Sequence, residues 1–359
     1  MGRLENQLQC SGNEQVMNDQ LTETRPKKKL PIRQILGVGI SVVCLVLVFR
    51  KVDFEQLKLA LENFKWHFVA LGLASLAIDY AMRIQRWAVM LRAGGAKVSG
   101  WNCAAPFLGS ITLNNVLPFR AGDLVRALVF PSAIGVRRVT ATASLLLERL
   151  VDMLTLLLSL GIGLSLSPVA KMPEWLGRSV TALAVVGVIA LVLIVTLHRP
   201  IVRLIVYVEN RLLQRNVAKL ANVFAVIAQL TRDIGEMSRP RTLLTLVSLS
   251  MVIWIGETGL FWAVLQGLNI DSGFPAALTI MAVATLSTLV PSSPGYVGPF
   301  HLAAYSAAVM LGGTAAQAAS FAVLAHLGLW LPTTLAGGIA ILAKPALFKG
   351  RASALHDAK

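Results

Sequence analysis

The stretch LNNVLPFRAGDLVRALVF (113–130) sets Asn114, Asn115, Arg120, Asp123 and Arg126 around Pro118 and Gly122, between apolar flanks. These residue types can bind an anion. A guanidinium donates paired hydrogen bonds to phosphate oxygens, and a half-helix starting after Pro118 would aim its positive end at the same point. Asp123 lies three residues before Arg126 and is placed to orient it. The competing use of Arg120 and Arg126 is as loop charges on the cytoplasmic side, with ordinary headgroup contacts.

A second set lies in TATASLLLERLVDMLTLLLSLGIGLSL (140–166), where Ser144, Glu148, Asp152, Thr155 and Ser159 recur every three or four residues and draw one polar stripe. Glu148 and Asp152 fall about 12 and about 18 Å along the helix from Thr140. At that depth in a bilayer each charge costs at least about 2.5–3.5 kcal/mol, so both must face protein or water. Arg149 can pair along the helix with Asp152, three residues on. Two uses stay open for Glu148, Arg149 and Asp152: contact with a ligand or lipid headgroup, or a structural ion pair between helices.

A third stretch, LVPSSPGYVGPFH (289–301), breaks its helix at Pro294, Gly295, Gly298 and the flanking prolines. Ser292 or Ser293 is placed to cap a helix starting at Pro294. Two interrupted apolar segments in opposite halves of a chain point to a binding site between them. Asp79 and Glu257 read as helix-packing contacts, and His301 as a structural histidine.

The elements that must position these residues are membrane helices. The 359 residues are 55% hydrophobic and 14% charged, against about 25% charged in soluble domains. Continuous apolar runs reach the roughly 17–25 residues a span needs, which excludes the short alternating strands of a β-barrel. The expected fold is all-α, a polytopic integral membrane bundle with two Pro/Gly-broken, re-entrant segments. Spans are expected near 35–49, 67–83, 140–166, 179–197 and 242–267, with further apolar segments at 275–290, 297–312 and 317–343. An interfacial amphipathic helix is expected over 52–68. The chain divides into a polar cytoplasmic tail (1–33), a transmembrane domain (34–343) with a basic cytoplasmic segment at 198–241, and a short cytoplasmic tail (344–359). The basic cluster at 25–29 comes too late for a signal peptide, so 35–49 reads as a retained first span.

Charge sets the orientation. Of 33 Lys and Arg, 26 fall at 1–33, 83–138, 198–241 and 344–359. All lie on one side if both termini are cytoplasmic and 101–131 enters the membrane and returns. The net charge of +15 does not indicate nucleic acid, because the charges are spread through short loops without stacking aromatics. Cys10, Cys44 and Cys103 lack metal spacing. No P-loop is present, so ATP is not expected to act directly. No cofactor or metal is expected.

The combination NNVLPFRAGDLVRA, LLLERLVDMLTLL and PSSPGYVGPFHLAAYSAAV resembles the membrane domain of lysylphosphatidylglycerol synthase/flippase proteins over about 35–343. The resemblance places Asn115, Pro118, Arg120, Gly122, Asp123 and Arg126 in one block. Glu148, Arg149 and Asp152 fall in a second, and Pro294, Gly295 and Gly298 in a third. Asp123 stands where relatives often have Glu, and His301 where an acid often follows Phe. The resemblance implies movement of a lipid with a charged, phosphate-containing headgroup across the cytoplasmic membrane. The family's aminoacyl transfer belongs to a separate soluble domain, and lysyl transfer is not expected of these residues. The expected partner is a phospholipid or polyprenyl-phosphate-linked lipid. Two alternatives remain: a membrane-embedded transferase using a lipid-phosphate donor, or a non-catalytic partner of a separate glycosyltransferase or synthase.

Overall fold

A computed structural model describes residues 32–49, 55, 58–59, 62–167, 174–215, 217–290 and 292–349. Among these residues all regular structure is helical. In chain order the helices are α1 (Ile32–Phe49), α2 (His67–Ala93), α3 (Gly100–Val116), α4 (Ala121–Leu128), α5 (Arg138–Leu166) and α6 (Glu174–Gln214). They continue with α7 (Ala218–Met237), α8 (Pro240–Gly267), α9 (Phe274–Ser287), α10 (Pro299–Met310), α11 (Ala315–Ala343) and α12 (Ala346–Lys349). From Leu36 onward they pack as one unit.

Helices α2, α8 and α11 have 27, 28 and 29 residues and are apolar enough to cross a membrane. At 1.5 Å per residue each is longer than the roughly 30 Å of hydrocarbon. A further candidate span is 182–193 with 196–214, two pieces bent by 56° within α6. Leu183, Val185, Val186, Ile189 and Val192 of α6 are exposed, as are Leu331, Leu335, Ile339 and Leu342 of α11. Such surfaces fit a lipid solvent and would be a liability in water. The chain is a multi-pass membrane protein.

Small residues set the closest helix pair. On α2 and α8, a Cβ added to Gly259 would lie 2.0 Å from Ser75 Oγ, and one on Gly256 would meet Asp79 Cβ at 3.0 Å. Ser75 Oγ donates to Gly256 O at 2.7 Å. Interfaces of this kind let backbones approach without a hydrophobic driving force. Here they bring Asp79 and Arg83 against Glu257.

The first break is a helical hairpin. Leu117 is extended, Pro118–Arg120 makes a single tight turn, and α4 runs back against α3. Asn114 Nδ2 donates to Asp123 Oδ1 at 2.9 Å, and the Asp123 amide donates to Asn114 Oδ1 at 3.0 Å. This reciprocal pair clasps the hairpin. Gly122 is required there, because a Cβ would lie 1.9 Å from the Ser110 carbonyl oxygen.

The second break differs from expectation. Pro294–Tyr296 is a tight turn, and α10 begins at Pro299, after Gly298. Neither Ser292 nor Ser293 caps a helix at Pro294: Ser293 Oγ donates instead to Val297 O, and its amide donates to Ser41 Oγ on α1. Gly298 has φ 104°, and a Cβ there would lie 2.6 Å from Ser41 Cα. The positive φ at Gly295 and Gly298 explains why helix cannot run through.

One other expectation changes. The span expected at 67–83 continues to Ala93, so Arg83 and Arg86 lie within a helix rather than in a loop. The segment 198–241 comprises the second part of α6 plus α7, whose Asp233 accepts from Thr140 and Gln229. Of the interfacial helix expected over 52–68, residues 52–54, 56–57 and 60–61 lie outside the described residues, and 63–66 form a turn ahead of α2. Its Phe64 is buried, and a Cβ on Gly267 would touch the Phe64 ring.

Candidate functional site

The two breaks meet. Arg120 Nε donates to the Tyr296 hydroxyl at 2.9 Å, and the guanidinium lies 5.3 Å from the Tyr296 ring centroid. Among the described residues three non-glycines have positive φ, and two of them are this touching pair, Arg120 (52°) and Tyr296 (60°). Backbone strain of this kind costs on the order of 1–3 kcal/mol per residue and persists where surrounding structure enforces it. Asn115 Nδ2 donates to Thr333 and Thr334 on α11, fixing the end of α3. His326 Nε2 lies 2.8 Å from Gly295 O, which requires that nitrogen to carry its hydrogen.

Beneath the breaks is a cavity of about 240 Å³. Arg120, Tyr296 and Asn115 line one side, Arg126, Glu148 and Arg149 another, and Arg83, Glu257 and Asp152 a third. A second cavity of about 220 Å³ adjoins it and shares Asn114, Arg120, Gly295 and Tyr296.

The charges around the cavity are organised in pairs. Arg126 Nη2 donates to Glu148 Oε1 at 2.8 Å, with both side chains buried. Its guanidinium also lies 4.7 Å from the Phe107 and 5.4 Å from the Trp87 ring centroids. Arg149 reaches from α5 to Asp123 Oδ2 of the hairpin. Arg86 Nη1 donates to both Asp152 Oδ1 and Ser250 Oγ. Arg83 donates to Asp79 and to Glu257. Among the described residues Arg120 has no carboxylate partner.

The polar stripe of α5 faces inward as expected: Ser144, Glu148, Asp152, Thr155 and Ser159 are all buried. Trp87 Nε1 donates to Ser144 and Trp254 Nε1 to Thr155, so the stripe also fixes aromatic side chains of α2 and α8. One expected pairing differs, and another is the weaker of two. Asp152 pairs with Arg86 of α2, leaving Arg149 to Asp123. Asp123 sits 3.9 Å from Arg126 Nη2, and Glu148 is the carboxylate that holds Arg126. For Asp152, Arg149 and Arg126 the closest partner is one that another element presents, whereas Arg83 keeps both its neighbour Asp79 on α2 and Glu257 of α8.

Sequence reasoning missed Arg83 and Arg86. Two arginines within four residues end a hydropathy window, so the span was cut short before them. Their signal was Asp79 followed by Arg83 at four residues and Arg86 at seven, which puts all three on one helical face.

A helical membrane bundle whose broken segments line a charged cavity defines the class: a polytopic membrane protein with a polar site among its helices. Residues 34–337 match the family described as "Lysylphosphatidylglycerol synthase TM region", and the chain belongs to it. It is also similar to "Glycosyltransferase AglD" of Haloferax volcanii, at 27% identity over 354 residues. That alignment covers 89% of this chain and 55% of the relative, so the chain spans about half the length of that protein.

Proposed function

We propose that this protein binds the anionic headgroup of a lipid in the cavity beneath the two breaks and carries it between leaflets of the cytoplasmic membrane. Arg120 carries the reading. It is the lining arginine with no carboxylate partner among the described residues, and it stands on a strained backbone at the junction of both breaks. Arg126 with Glu148, Arg149 with Asp123, and Arg86 with Asp152 form matched pairs that keep this part of the cavity wall charged but balanced. A volume of about 240 Å³ falls below the roughly 300–1,000 Å³ of pockets that enclose drug-sized ligands. It suits a phosphate-containing headgroup whose tails stay in lipid.

In this reading 101–131 is re-entrant, and both termini are cytoplasmic. Arg83, Arg86, Arg120 and Arg126 sit around the cavity, so 22 of the 26 Lys and Arg assigned to the cytoplasmic side remain to set orientation. Cysteines placed at Gly95 and Ser132 in a cysteine-free background are both expected to resist an impermeant reagent in intact cells. Labelling of one alone rules out the re-entrant hairpin.

The test of the headgroup site compares Arg120→Ala and Arg120→Lys with the starting protein. Acyl-labelled phosphatidylglycerol, phosphatidylcholine and a polyprenyl phosphate are titrated into purified protein and then followed across proteoliposome leaflets. Losing a charge-assisted contact removes about 1.5–3 kcal/mol, so Arg120→Ala weakens binding of the anionic probes by about tenfold or more. Lys restores part of it, since ammonium lacks the planar fork. Equal binding by all three proteins removes Arg120 from the site.

A second reading rests on the relative named a glycosyltransferase, of which this chain matches about half. The bundle would then present a lipid-linked substrate to a separate glycosyltransferase or synthase. Catalysis by the bundle itself is the weaker version, because each carboxylate lining the cavity already pairs with an arginine. Conversion of a labelled lipid-linked sugar to a new covalent product by the purified chain would establish it.

A further inference from the structure

The cluster of Asp79, Arg83 and Glu257 has two carboxylates on one guanidinium. Arg83 Nε donates to Asp79 Oδ1, and Nη2 donates to Glu257 Oε2, each at 2.6 Å. Asp79 is fully buried, and its Oδ2 has no partner among the described residues. Glu257 lines the cavity and also accepts from Thr285 Oγ1 of α9 at 3.0 Å.

The surrounding elements do not restore the balance. On α2 the neighbours are Tyr80, which is uncharged, and Arg86, which is already matched by Asp152 of α5. From α9 comes the Thr285 hydroxyl, and from α11 Thr333 and His326 line the same cavity. Arg126 of α4 is matched by Glu148 of α5. Arg149 of α5 is matched by Asp123, and Arg120, the lining arginine without a carboxylate partner, donates to Tyr296 rather than to Asp79 or Glu257. The cluster itself is left with one negative charge more than its guanidinium matches, and a buried unmatched charge is among the most unfavourable arrangements a fold can hold. A proton is the ligand that removes it with least rearrangement.

We infer that Asp79 and Glu257 together hold one exchangeable proton, taken up from the cavity through Glu257, and that this proton travels with the anionic headgroup bound at Arg120. The coupling half rests on the headgroup reading above. The proton belongs to the pair and not to either residue, as in other closely interacting carboxylates. The linkage follows from charge. An anion entering beside Arg120 adds a negative charge to a cavity that Glu257 also lines, so it favours the protonated pair. By reciprocity, the protonated pair favours the anion. One proton and one anionic headgroup then move together without net charge, which connects lipid movement to a proton gradient.

Two measurements test this. Infrared spectra of the purified protein at neutral pH are expected to show a protonated carboxylic acid band. Asp79→Asn and Glu257→Gln should each abolish it, because either change leaves one carboxylate matched to Arg83. Both variants should unfold at or above the starting protein's temperature, which shows that a lost band is not a lost fold. Absence of the band from the starting protein, or its persistence in both variants, overturns the proton site. Binding of dioctanoyl-phosphatidylglycerol should strengthen as pH falls, approaching tenfold per pH unit across the window of uptake. In Glu257→Gln it should be independent of pH. A pH-independent starting protein overturns the coupling. Failure of this lipid to bind at any pH removes the headgroup reading together with the coupling, while the infrared band still decides the proton.

Discussion

Arg126→Ala is expected to destabilise the protein by about 3–5 kcal/mol, and the double change Arg126→Met with Glu148→Leu to recover most of that loss. Arg126 is 2% exposed and Glu148 is 5% exposed. Deleting the arginine alone leaves the Glu148 carboxylate buried with its Oε2 unpartnered among the described residues and its Oε1 newly orphaned. Replacing both by apolar groups of similar size removes the desolvation of two ions along with their attraction, which is often neutral or favourable. The aromatic surroundings suit that replacement, because Phe107 and Trp87 already form the walls. The measurement is thermal unfolding of detergent-purified protein by tryptophan fluorescence. If the double variant is as unstable as the single one, the loss comes from packing and the ion-pair argument fails. The experiment also separates Arg126 from Arg120, for which a large loss of lipid binding is expected with little change in stability.

Much of this arrangement was legible before the fold was known. Composition defined the membrane bundle. The prolines and glycines near Pro118 and Pro294 located both breaks, and the polar recurrence along 140–166 identified the inward face of α5. These signals are local: a run, a breaker and a period. What the sequence left out was partnership. Arg149 and Asp152 are neighbours along α5, yet each is claimed by another element, the hairpin and α2 respectively. Asp79 and Glu257 are 178 positions apart and share Arg83 only because small residues let α2 and α8 approach. The start of α10 slipped from Pro294 to Pro299 for a related reason. The turn at Gly295 packs near Trp330 and Asn115, and Gly298 against Ser41, so tertiary neighbours rather than the serine caps decide where helix begins.

Gly122→Ala should be the most damaging single methyl added to this protein, with Gly337→Ala close behind and the adjacent Gly338→Ala harmless. Helix α3 is gripped on two sides by glycines. A Cβ on Gly122 would lie 1.9 Å from Ser110 O, 2.7 Å from the Asn114 amide nitrogen and 2.9 Å from Asn114 Oδ1. A Cβ on Gly337 would lie 2.1 Å from Leu108 O and 2.3 Å from Thr112 Oγ1. Most of these are backbone atoms of a helix that also supplies Asn114 and Asn115 to the site, so relief requires α3 itself to move. Overpacking typically costs about 1–3 kcal/mol and occasionally more, and contacts this short place Gly122→Ala at or beyond the upper end. Opening the hairpin would also break the Asn114–Asp123 clasp and draw Asp123 away from Arg149. At Gly338 an added Cβ meets nothing within 4 Å, and Ala in a helix is favoured over Gly by about 0.5–1 kcal/mol. Thermal unfolding of the three variants should therefore rank Gly338→Ala at or above the starting protein and the other two well below it. Lipid binding should fall for Gly122→Ala even at temperatures where it stays folded, since Arg120 stands on the turn that this glycine anchors. A Gly122→Ala protein with unchanged stability and binding would mean that α3 and α4 are not clasped as a hairpin.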